Sequence, residues 1–123
     1  LQTPNILSIS FSSYMNTGGA HGNLNITFLN FDSLTGKQIN NDALFNNIEG
    51  FKAVAEKYFK VEIEEKESLF DANSFNLPAN IGYSEDGIIL LYNTYEIAPY
   101  STGIIEFVIP FEEVNSLLIF KSS

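Results

Sequence analysis

The 123-residue chain has no cysteine, which excludes disulfides, cysteine nucleophiles and thiolate metal sites together. That absence does not decide the compartment, because many envelope proteins of this size fold without disulfides. Tryptophan is also missing, and histidine occurs once, as His21. No apolar run approaches the roughly 20 residues needed to span a bilayer. The longest, Ile88–Tyr92 and Ile104–Phe111, are of strand length. No leader pattern stands at Leu1 and the first residue is not Met, so the expectation is an excised fragment or a mature chain without its leader.

What is present is the composition of a folded domain. Apolar residues make up 45% of the chain, with eleven Phe and six Tyr, well clear of the disordered class. A chain of this size buries about two-thirds of its unfolded surface and needs no staple. Charge is distributed unevenly. Through residue 60, Asp32, Asp42, Glu49 and Glu56 cancel Lys37, Lys52, Lys57 and Lys60. Beyond it, the acids face only Lys66 and Lys121, so the whole net charge of −9 lies in the second half. Nucleic acid and anionic lipid are poor partners for such a surface, and a cationic protein would be steered to it. Solubility alone accounts for the same acids equally simply.

Along the chain, Leu7, Ile9 and Phe11 alternate with Ser8, Ser10 and Ser12, the period of a half-buried strand with the serines on its wet face. A glycine-rich break at residues 16–22 separates it from a second alternating run, Leu24, Ile26 and Phe28, which predicts an antiparallel pair. Asp32 to Lys37 reads as a turn, with Asp32 bonding nearby backbone and Gly36 free to take positive φ. From Asn47 the period changes: Ile48, Phe51, Val54, Ala55, Tyr58 and Phe59 recur at three and four, an amphipathic helix over 47–60. Ser84-Glu85-Asp86-Gly87 is a hairpin turn before a strand at 88–95, and 104–109 is another strand. Pro110 with Glu112 and Glu113 opens a short C-terminal helix whose inner face is Val114, Leu117 and Leu118. The expectation is an α+β fold over residues 1–123: an antiparallel sheet of about four main strands, one principal helix packed on it, and a short helix at the end.

Three stretches in order carry a resemblance. They are Thr17-Gly18-Gly19-Ala20-His21-Gly22, then Phe31-Asp32 with Thr35-Gly36-Lys37, then Tyr95-Glu96-Ile97-Ala98-Pro99-Tyr100 with Gly103 and Ile109-Pro110-Phe111. In their order and spacing the chain resembles the RsiV-type C-terminal domain family, found in lysozyme-sensing anti-sigma factors and appended to a peptidoglycan deacetylase. The resemblance implies an extracytoplasmic module, tethered in its full-length protein by a transmembrane helix or lipid anchor. It also implies that any chemistry belongs to a separate domain. Lysozyme binding in the anti-sigma factors is not carried by motif positions that map onto this chain.

The residues themselves show no catalytic set. His21 lacks the placed nucleophile and orienting acid of a triad and any companion at metal-ligand spacing, so neither catalysis nor a metal or other cofactor is expected. Its simplest role is to tie the glycine loop, with Gly18 and Gly19, to a neighbouring backbone group, and a surface contact is the functional alternative. Glu96 between Tyr95 and Tyr100 is suited to a sugar or a basic side chain, or to a network that holds a proline kink. Adjacent acids such as Glu64 with Glu67, or Glu112 with Glu113, read as solvated faces, since glycosidase pairs converge from separate segments.

The functional expectation is therefore a non-catalytic binding or sensing module at the cell envelope. Its ligand would be a cationic protein such as lysozyme, or cell-wall glycan. An accessory domain of a carbohydrate deacetylase and a structural domain of a lipoprotein are the alternatives.

Overall fold

In the computed structural model, residues 2–16, 22–64, 76–93 and 104–120 are described. Strands β1 (Ile6–Asn16) and β2 (Gly22–Asp32) form a long antiparallel hairpin, and the two-residue β3 (Gln38–Ile39) pairs with the end of β2. A 3₁₀ turn at Asn41–Leu44 leads to helix α1 (Ile48–Glu64). A second antiparallel sheet follows in the order β4 (Asn80–Tyr83), β5 (Gly87–Tyr92) and β6 (Ile105–Pro110). A short α2 (Phe111–Val114) and a 3₁₀ turn at Asn115–Leu117 complete the described elements. This is the expected α+β class. The four expected strands are present, divided between two three-stranded sheets that the short β3 and β4 complete.

Helix α1 forms where the apolar spacing predicts it. Phe51, Ala55 and Phe59 recur at four-residue spacing and are all buried, while Glu56 and Lys60 make an exposed i,i+4 pair at 3.3 Å. The buried stripe lies on the second sheet, where Leu90 stands opposite Phe107 and Ile88 opposite Ile109. Phe59 meets the rings of Tyr92 and Phe107 at centroid distances of 5.4 and 6.3 Å, and Phe51 stacks on Phe45 at 4.0 Å. Strand β5 is central in this sheet and buried on nearly every residue; β6, at an edge, alternates buried Ile105, Phe107 and Ile109 with exposed Glu106 and Val108. The core gathers side chains from Ile6 to Leu118. The Asp32 turn is as expected: its carboxylate accepts from the N–H groups of Leu34 and Thr35, and Gly36 has φ of 76°.

The two sheets meet edge to face through small polar side chains. Ser8 Oγ donates to Asn30 Oδ1 at 2.6 Å, and Asn30 Nδ2 donates to the Ile81 carbonyl at 2.8 Å. Ser8 Oγ also accepts the Tyr83 N–H at 2.9 Å, so the outer edge of β4 is satisfied by the inner face of the hairpin. In return, side-chain amides satisfy the edge of β2 beyond the reach of β3. Asn80 Oδ1 accepts the Phe28 N–H, while Asn93 bonds both the N–H and the carbonyl of Ile26. Phe28 lies over Gly82, where an added Cβ would fall 2.6 Å from its ring.

This arrangement corrects one reading of the sequence. Ser8 is not on a wet face: it is 3% exposed and points into the domain. The opposite, apolar face of β1 points outward, with Ile9 41% and Phe11 50% exposed. The alternation is right, and Ser10 and Ser12 are exposed as expected; Ser8 alone departs, because at its position the hairpin meets unpaired backbone groups of β4 that need hydrogen-bond partners more than they need methyl groups.

Candidate functional site

The six residues singled out from the sequence, Gly18, Gly19, His21, Tyr95, Glu96 and Tyr100, all lie outside the described residues. Their described flanks are firmly set. Residues 17–21 join the paired ends of β1 and β2, and residues 94–103 leave β5 just after Asn93, whose amide is held on Ile26 of β2. Among the described residues no three His, Cys, Asp or Glu side chains converge, and no helix is long and apolar enough to cross a membrane.

Two surfaces stand out instead. One flanks β1. On its inner side an open groove of about 400 Å³ runs between Ser8 and Ser10 of β1 and Phe28, Tyr83 and Ile89. On its outer side a second hollow of about 310 Å³ is walled by Leu7, Ile9, Phe31 and the Asp32 turn. The register places Leu7 and Ile9 of β1 opposite Phe31 and Leu29 of β2, so the outer face is apolar over two successive cross-strand pairs, and Phe11 follows opposite Thr27. Tyr83, at the bottom of the groove, donates its hydroxyl to the Phe120 carbonyl at 2.6 Å, and burial pushes its phenol well above the ordinary range. Sequence reasoning passed over this surface, although the alternation of Leu7, Ile9 and Phe11 marks one half of it.

The other surface is acidic and lies at the far end of the second sheet. The Ser84–Gly87 turn is closed by the Ser84 N–H on the Gly87 carbonyl, and Phe111 at the start of α2 donates its N–H to the Asp86 carbonyl. Those contacts bring the exposed carboxylates of Glu85 and Asp86 to the same end as those of Glu112 and Glu113. Tyr58 of α1 lies near them: partial desolvation first, then the charges of Glu113 and Glu112, raise its phenol pKa. Among the described residues after Lys60 there is no lysine or arginine to offset these acids.

The family model of a protein of unknown function, DUF3298, matches residues 32–112, most of the chain. The chain belongs to DUF3298. The match begins at the last residue of β2, so nearly the whole β1–β2 hairpin precedes the stretch by which DUF3298 is defined. The hairpin is nonetheless shared in shape with solved relatives. A DUF3298 protein of Pseudomonas aeruginosa PAO1 superposes with a TM-score of 0.73 at 28% identity over 93% of this chain and 56% of its own. A DUF3298 protein of Bacteroides fragilis superposes with a TM-score of 0.69 at 27% identity, over 93% of this chain and 49% of its own. The present chain thus spans about half the length of these DUF3298 structures. No protein of curated function matches it.

Proposed function

We propose that this DUF3298 domain is a non-catalytic binding or sensing module of the RsiV type, displayed outside the cytoplasm, whose ligand is a cationic protein of the lysozyme kind or cell-wall glycan. The observation that carries the cationic reading is the acidic end of the second sheet. Glu85, Asp86, Glu112 and Glu113 are all exposed there, and none of them is in the ion pair seen among the described residues, Lys60 with Glu56, in a chain of net charge −9. Exposed charges of one sign steer encounter over about 10 Å at 0.1 M salt, and added ions shorten that reach. Support for a role beside other domains comes from the relatives, which are about twice as long as this chain. The same fact fits the alternative, an accessory domain of a carbohydrate deacetylase, and the full-length coding sequence discriminates between them.

Surface plasmon resonance against a basic lysozyme tests the leading reading. Raising salt from about 50 to about 300 mM is expected to cut the association rate several-fold. Charge reversal at Glu112 and Glu113 to lysine is expected to remove most of that salt dependence. Failure to bind at either salt refutes the lysozyme version, and binding that ignores salt refutes the electrostatic part.

A further inference from the structure

We propose that the groove between β1 and the second sheet binds a pyranose ring of a neutral glycan, which rests on the binding-module reading and gives its glycan ligand a place. The floor of the groove continues an apolar row built in register. Gly82 of β4, Ile89 of β5 and Val108 of β6 stand opposite one another across the sheet. They lie on the face turned away from α1, since Ile88, Leu90, Phe107 and Ile109 alternate with them and fill the core. Phe28 of β2 completes the row by lying over Gly82. Ile89 beside it is half-buried, and Val108 is 39% exposed. Such a strip suits the C–H face of a sugar, to which an aromatic ring offers its electron-rich face.

The wall above this floor is polar and uncharged. Ser10 stands opposite Phe28 across the hairpin and is exposed. Its hydroxyl, both donor and acceptor, is bonded by no described residue, and the same holds for the side-chain amide of Gln2 at the end of the groove. Ser8, by contrast, is engaged within the fold by Asn30 and Tyr83 and contributes only wall. Among the described residues, none that lines the groove carries a charge, although the whole chain carries a net −9. The hairpin explains this, because residues 1–31 contain no Asp, Glu, Lys or Arg. A charged ligand finds no counter-charge here.

Size and setting narrow the class of ligand further. The groove, at about 400 Å³, falls within the range of about 300–1,000 Å³ common to small-ligand sites. An extended peptide needs a free strand edge, and neither strand beside the groove offers one. Gln2 bridges Leu7 at the edge of β1. The edge of β4 gives its Tyr83 N–H to Ser8 and its Ile81 carbonyl to Asn30. A lipid chain needs an apolar enclosure, whereas this groove is open and has hydroxyl and amide groups along one side. What fits is a neutral molecule with an apolar face and a rim of hydroxyls. A pyranose ring has both, with C–H bonds on its faces and hydroxyls around its edge.

Amide chemical-shift titration of the isotope-labelled 123-residue chain with triacetylchitotriose, and separately with maltotriose, decides the matter. At least one sugar is expected to give saturable shifts centred on Ser10, Phe28 and Ile89. The affinity should be the same at about 50 and about 300 mM salt, because a neutral ligand offers no charge to screen. Ser10→Ala removes one hydrogen-bonding group and should weaken binding about two- to tenfold. Phe28→Leu keeps an apolar side chain without the ring and should weaken it several-fold. Ser12→Ala, exposed on the same strand but outside the groove, should bind like the parent. Absence of saturable shifts with both sugars up to about 20 mM overturns the groove, and the lysozyme measurement then judges the module reading by itself. Shifts that gather at the acidic end instead, or binding that Ser10→Ala and Phe28→Leu both leave unchanged, overturn the groove and keep a glycan-binding module. Affinity that falls steeply with salt overturns the neutral site.

Discussion

Replacing Ser8 by alanine removes one oxygen, and the structure makes that oxygen costly. Ser8 Oγ donates to Asn30 at 2.6 Å and accepts the Tyr83 N–H at 2.9 Å, at a site only 3% exposed. In Ser8→Ala the Tyr83 N–H is left buried without that acceptor, a loss of about 1–3 kcal/mol, and the bond to Asn30 contributes about 1 kcal/mol more. The sum is about 2–4 kcal/mol. With an unfolding entropy of about 2.1 cal/mol/K per residue, a chain of 123 residues melts about 8–15 °C lower. Ser10→Ala and Ser12→Ala, on the same face of the same strand but exposed, are expected to stay within about 0.5 kcal/mol of the parent. Calorimetry or thermal circular dichroism on the three variants measures the contrast. Asn30→Ala completes a double-mutant cycle, in which the pair should cost less than the sum of the singles by about 1 kcal/mol, since both singles break one shared bond. If Ser8→Ala melts within about 2 °C of Ser10→Ala, the joint between the sheets does not depend on this network and the reasoning fails.

Two further outcomes follow from close contacts and from burial. Gly87→Ala would place its Cβ 2.0 Å from the Ile109 carbonyl oxygen, backbone against backbone, so a loss of about 3 kcal/mol or more is expected in chemical denaturation; Gly82→Ala meets only the movable Phe28 ring and should cost less. Tyr83, whose phenol is raised by burial, stays protonated in the folded chain after the unfolded chain has begun to ionise. Its contribution is whole below about pH 10 and is lost as pH rises above that, so stability should fall on the alkaline side, and less steeply in Tyr83→Phe. Equilibrium unfolding between about pH 8 and about pH 11 checks the sign.

The sequence made local structure legible and left long-range placement obscure. Helix α1 is readable because its stripe of Phe51, Ala55 and Phe59 obeys a period that needs no knowledge of what it packs on. The Asp32 turn and the Ser84–Gly87 hairpin are readable because their hydrogen bonds close within a few residues. Strand alternation likewise says which residues share a face. It does not say which face is buried, and at β1 the choice is made by residues far away: Asn30 lies 22 positions from Ser8, and Tyr83 lies 75. A rule that sends apolar residues inward fails at this joint, where the edge of β4 needs hydrogen-bonding partners. The division into two sheets was hidden for the same reason, since β3 and β4 are too short to show a period. Of the six sequence-selected site residues, none falls among the described residues, so the surfaces identified at β1 and at α2 rest on different side chains.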